Sequence, residues 1–167
     1  MVDDGQPRWL DAEEQRAWYA FAYALIRLPA ALDAQMYRDA GLSQFEYLVL
    51  SALSMTPDRT LRMSDLAAHT ASTLSRLSNV VSRLEKRDWV RRTADPVDGR
   101  YTLAILTDDG WAKVVASAPA HVEEVRRLVF EPLTKTQQRQ LGQISQRILH
   151  AIDPQSPSLL GRIPGTR

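Results

Sequence analysis

From about Asp11 to Ala40, apolar residues recur at the three- and four-residue spacing of an amphipathic helix: Trp18, Phe21, Ala22, Leu25 and Ile26. Asp11 with Glu14 three residues later predicts a capping box at its start. Pro29 predicts a kink or a split, because proline removes a backbone donor and crowds the preceding turn. Gly41 marks the end. Ser43-Gln-Phe-Glu46 is a second capping box, opening a helix whose stripe is Phe45, Leu48, Val49, Ala52 and Leu53 and which stops before Pro57. A turn and a short extended piece follow to Arg62. Ser64 then opens a short helix, Asp65 to about Thr70, with Leu66 and Ala67 inward. Beyond a turn at Ala71 and Ser72, the next helix divides into two faces. Leu74, Leu77, Val80, Val81 and Leu84 lie on one; Ser75, Arg76, Ser78, Asn79, Ser82 and Arg83 lie on the other.

The period then changes. Trp89 to Thr93 and Tyr101 to Leu106 are rich in strand formers, and the second alternates. Pro96 and Asp98-Gly99 between them predict a hairpin with a long loop. Thr107 caps a helix expected from Asp108 to about Phe130, with a bend at Pro119 and a stop at Pro132. Thr134 to Gln137 is a third capping box, for a last helix reaching about Ile152. The segment 153–167, with three prolines, two glycines and two serines, reads as a flexible tail.

Two short helices joined by a tight turn, then a hairpin, make a winged helix-turn-helix. The expected fold is mainly α (α+β), with a small two- to three-stranded wing sheet and long N- and C-terminal dimerisation helices. Residues 1–41 form the N-terminal dimerisation segment, 42–110 the DNA-binding domain and 111–152 the C-terminal dimerisation helices. A winged domain of about 70 residues cannot cover such long apolar helices. Leu128, Val129, Leu141, Ile144, Ile148, Leu149 and Ile152 therefore ask for a partner surface.

Composition narrows the chemistry. With no cysteine, disulfides, thiolate zinc sites, iron–sulfur clusters and thiol redox sensing are excluded. No run of about 18 apolar residues predicts a membrane span, and the acidic start, Asp3 and Asp4, is unlike a signal peptide. The expected location is the cytoplasm. Net charge is only +1, but it is unevenly spread. Residues 1–20 carry −3 and residues 70–107 carry +3. A basic middle is a weak footprint of a polyanion partner, and a solvated charged face accounts for it equally well. His69, His121 and His150 lie far apart and no glycine-rich phosphate loop exists. Neither a cofactor, a metal nor catalysis is expected.

The major groove of B-DNA accepts one helix, and the second helix of the pair can fill it. Ser75, Ser78 and Ser82 allow close approach. Arg76 and Arg83 reach guanine edges or phosphates, and Asn79 suits adenine. Thr73 and the helix N-terminus can meet a phosphate. Taken alone, this pattern fits a plain amphipathic helix with a solvated face better; the hairpin that follows shifts the balance. Arg100, just past the Asp-Gly loop, can enter a minor groove, and Asp98 can aim it or simply serve the turn.

On these residues the sequence resembles the MarR family of winged helix-turn-helix regulators. The matching stretches are Leu66-Ala67, Asn79 through Arg87, Asp95-Pro-Val-Asp-Gly-Arg100 and Leu106-Thr107-Asp-Asp-Gly110. The Asp98-x-Arg100 spacing is the most specific. The resemblance implies a homodimer and a ligand-responsive repressor of a near-palindromic operator on double-stranded DNA. By motif position, Ser75, Arg76, Asn79 and Arg83 take the recognition role and Arg100 the wing role. One departure is Asp88, where the family usually has glycine. The resemblance also implies a small aromatic or phenolic effector. Trp18, Tyr19, Tyr23, Phe45, Tyr47 and Trp111 are the aromatic candidates for its crevice, although core packing explains each of them singly. The alternative is a winged-helix protein-interaction module that does not bind DNA. Such a module would place apolar or acidic residues where this chain has Arg76, Asn79 and Arg83.

Overall fold

The computed structural model describes residues 7–154. Helix α1 runs Ala12–Ala40, α2 Gln44–Ser54, α3 Met63–His69, α4 Leu74–Glu85, α5 Asp108–Val125 and α6 Lys135–Ile152. Strands β1 (Thr60–Arg62), β2 (Val90–Ala94) and β3 (Thr102–Leu106) form one antiparallel sheet in the order β1-β3-β2. The short extended piece expected near Arg62 is thus the third strand, with Leu61 opposite Ala104. The tail expected at 153–167 lies, beyond Pro154, outside the described residues.

The capping boxes at Asp11, Ser43 and Thr134 all form. Helix α1 is neither split nor ended by Pro29. The Leu25 carbonyl that loses its partner there lies on an exposed stretch, where water can serve it. Gly41 closes α1 in the left-handed region at φ 63°, its N–H donating to Met36 and Tyr37 carbonyls. Helix α3 starts at Met63, one residue before Ser64, with Arg62 at its N-cap and no side-chain cap. Leu74, expected inward, is 53% exposed because it occupies the first position of α4, ahead of the packed turns. Helix α5 continues past Val125 as a π-helical turn, Arg126–Phe130.

The core lies between α2, α3, α4 and the sheet. Leu42, Val49, Leu50, Leu53, Leu66, Leu77, Val81, Leu84 and Ala104 are fully buried there, and Met36 of α1 joins them. Each such leucine contributes about 1.5–3 kcal/mol by leaving water. Gly110 packs the start of α5 onto the turn before β2; a Cβ there would overlap the Trp89 carbonyl oxygen. In contrast, α6 buries no residue, and α1 buries only Gln35 and Met36 near its end.

Candidate nucleic-acid interface

Helix α4 is held by its apolar stripe. Leu77, Val80, Val81 and Leu84 are buried, so Ser75, Arg76, Asn79 and Arg83 project from the opposite side and are exposed. Thr73 is the N-cap, its Oγ1 accepting from the Arg76 N–H at 3.2 Å. That bond satisfies one of the orphan donors of the first turn. The first turn of α4 contains no acid, so the positive end of the helix dipole stays open to an anion.

Both outward arginines have a partner at the start of α2. The Arg76 guanidinium lies over the Phe45 ring, 4.4 Å from its centroid. Arg83 donates through Nε to Glu46 Oε1 at 3.1 Å. Burial pushes the Glu46 carboxyl up, but the Ser43 N–H and the Arg83 guanidinium outweigh it and hold the group below the usual carboxylate range. Phe45, expected at an effector crevice, thus sits under a recognition-helix arginine.

Ser78 and Ser82 are placed differently from their neighbours. Both are half-buried and accept from Arg92 of β2, at 3.3 Å and 2.9 Å. The same Arg92 donates through Nε to Glu85 at 2.8 Å. This network ties α4 to the wing sheet. The Arg92 hydrogen bond, with desolvation opposing it, holds Glu85 below its ordinary value. An arginine three residues into a strand carries no distinctive sequence signal, and its partner Glu85, seven residues back on α4, carries none either.

At the wing, Arg100 donates through Nε and Nη2 to the two oxygens of Asp98, at 2.9 Å and 2.6 Å. Its side chain is nevertheless 83% exposed. Asp98 also accepts from the Arg100 N–H, and these bonds hold its carboxyl low. A second carboxylate, Asp95, is buried at the wing's base. It accepts from the Val97 N–H at 2.9 Å and from Arg62 Nε at 2.8 Å, and these bonds keep it low against desolvation. Arg62 in turn lies over the Tyr101 ring at 4.3 Å. The Asp-Pro-Val spacing is the signal that could have found Asp95, since aspartate commonly bonds the N–H two residues on.

A family model described as MarR family matches residues 40–100. A MarR family transcriptional regulator from Streptomyces coelicolor, solved in complex with DNA, is 44% identical. The match covers 93% of this chain and 98% of that one, with a TM-score of 0.86. A second such regulator from the same organism is 32% identical, covering 89% and 100%, with a TM-score of 0.83. An HTH-type transcriptional repressor of Mycobacterium tuberculosis is 30% identical over 129 residues, 75% of this chain and 91% of the relative. The chain belongs to the MarR family of transcriptional regulators.

In this MarR-family chain the six candidate effector aromatics occupy separate places. Trp18, Tyr19 and Tyr23 are exposed on the first half of α1. Trp111 takes Arg59 over its ring at 4.4 Å, and Arg59 also pairs with Asp108. Tyr47 is buried, 4.8 Å from the His121 ring, and burial pushes its hydroxyl up and the His121 imidazole down. No two of the six pair with each other among the described residues. The mutually packed α1, α2 and α5 also hold buried polar atoms with no hydrogen-bond partner among the described residues. They are Gln35 Oε1, Gln44 Oε1, Ser117 Oγ and His121 Nδ1.

Proposed function

We propose that this chain is a ligand-responsive repressor that binds a near-palindromic operator as a homodimer. One observation carries the reading: α4 presents Ser75, Arg76, Asn79 and Arg83 to solvent while its other face is sealed into the core. A helix so mounted enters a major groove, and Arg100, held out by Asp98, reaches the adjacent minor groove. Family membership and the DNA complex of the 44% identical regulator support this reading over a winged-helix interaction module. The chain acts by binding, with residues 42–110 meeting DNA in the cytoplasm and 1–41 and 111–152 pairing two copies. No described helix is long and apolar enough to cross a membrane.

The dimer is supported by what α6 and the first half of α1 leave uncovered: Trp18, Tyr19, Tyr23, Ile26, Ile144, Leu149 and Ile152 are all more than half exposed. Two recognition helices about 34 Å apart would then face one side of the duplex. Gln35, Ser117 and His121, with polar atoms unpaired among the described residues, are the groups from which an aromatic effector entering beside Tyr47 would take its hydrogen bonds. Its entry would push α1 and α5 against α2 and alter the spacing of the recognition helices.

Arg100→Ala is expected to weaken operator binding and lower the salt slope by about 1. Asn79→Ala is expected to relax base preference at one position per half-site. Binding titrations across salt concentrations decide the matter: unchanged affinity in both variants ends the reading.

A further inference from the structure

The outward arginines of α4 are met by consecutive residues of one neighbouring turn, Phe45 and Glu46 at the start of α2. We propose that Glu46 is a positioning residue for operator recognition, presetting Arg83 before DNA arrives. The proposal rests on the reading of α4 as the recognition helix.

Glu46 is itself fixed. It is 5% exposed, and its Oε2 accepts from the Ser43 N–H at 2.9 Å in the capping box. That leaves Oε1 for Arg83, whose Nε it holds at 3.1 Å. The Arg83 side chain is still 55% exposed, and Nη1 and Nη2 make no hydrogen bond among the described residues. Those two nitrogens form the edge that meets guanine O6 and N7, or two phosphate oxygens, as a fork. A free arginine must give up its rotamer freedom on binding; one pinned through Nε has given up much of it already.

The sign of the charge sharpens the argument. A carboxylate beside a DNA-facing arginine lowers the general attraction to phosphates. Glu46 therefore works against nonspecific binding and for orientation, which makes it a determinant of specificity. Phe45 serves Arg76 in a parallel way, offering a ring face that fixes the guanidinium plane without charge.

The test is Glu46→Gln in the full-length chain. Glutamine also completes a capping box at this position, so α2 is retained. A duplex is first selected by the wild-type protein from a random-sequence library, and affinities for it and for a scrambled duplex are measured at one salt concentration. The expected result is about a tenfold loss on the selected duplex, with scrambled-duplex affinity unchanged or raised. Repeating the selection with the variant is expected to flatten the preference at one position per half-site. Arg83→Lys, which keeps the charge but has no Nε, is expected to behave alike. In an Arg83→Ala background Glu46→Gln is expected to cause no further loss on the selected duplex. Equal losses on both duplexes, a loss that persists in the Arg83→Ala background, or no loss at all would each overturn the proposal. A wild-type protein that selects no sequence defeats the underlying reading, and the proposal with it; a variant that fails while the wild type selects bears on Glu46 alone.

Discussion

The winged part of the chain and its helical arms are finished to different degrees. Between Leu42 and Leu106 the apolar stripes of α2, α3 and α4 meet the sheet and, Leu48 and Leu74 apart, are covered, and each buried or half-buried carboxylate there has an arginine. In α6 and the first half of α1 the stripes are just as regular, yet nothing on them is buried. The same helical period thus gives opposite outcomes, because burial is decided by what lies opposite. The winged part supplies its own opposite surfaces. The arms leave a set of large apolar side chains in water, more than a soluble monomer ordinarily shows in one region. One half of the molecule is complete in a single chain; the other, on the proposed reading, is completed by a second copy.

The most forceful way to break this contrast is to charge the arms. Ile144→Asp with Leu149→Asp places two carboxylates on exposed apolar positions of α6. A carboxylate buried in an apolar interface without a partner is heavily penalised, so the pair should fall apart. Sedimentation should report a monomer, and operator affinity should drop more than about 100-fold once each half-site is bound alone. The winged core should keep its own protection against amide exchange. A variant that stays dimeric would show that α6 is not the pairing surface.

Most of this division was legible in the residues themselves. Capping boxes at Asp11, Ser43 and Thr134, the wing turn at Asp98-Gly99 and the unmatched apolar run after Leu128 are local signals, and local signals survive in sequence. What escaped was set by tertiary placement. Ser78 and Ser82 share the polar side of α4 with Asn79, but one strand's arginine claims them. Phe45 and Tyr47 are two residues apart on one helix and so face different ways: one lies under Arg76, the other packs on His121. Glu46 was visible as a helix cap and not as the anchor of Arg83, because that contact spans 37 residues of chain.

Acid offers a second, milder lever. Glu46, Glu85, Asp95 and Asp98, all in the winged part, are held below the ordinary carboxylate range, as is Glu124 on α5. A carboxyl lowered by folding contributes stability that is complete above its unfolded value and disappears as pH falls through its folded one. These carboxyls should therefore leave the stability of the winged part unchanged from pH 7 to about 5, apart from the separate loss that the depressed His121 imidazole on Tyr47 adds as pH falls below about 6.5, and lower it below about pH 4. Amide exchange in α4 and β2 should rise there before exchange in α6 does. Protection of α4 that is level down to about pH 3 would mean that the arginine–carboxylate contacts contribute little.

The smallest effect is the most local. Asp88 follows α4 in the left-handed region, at φ 57°, where a side chain costs roughly 1 kcal/mol and aspartate somewhat less. Its carboxylate makes no hydrogen bond among the described residues; only its backbone is used, the carbonyl accepting from Thr107 Oγ1 at 2.6 Å. The acid also sits near the negative end of the helix dipole, which disfavours it further. Against this, glycine loosens the unfolded chain. The balance favours Asp88→Gly by about 0.5 kcal/mol, seen as a rise in Tm of about 1–2 °C. The dimer and its operator affinity should be unchanged, since the substitution touches neither the arms nor the outward face of α4. A lower Tm would show that this turn carries no strain worth relieving, and that the chain loses nothing by having an aspartate there.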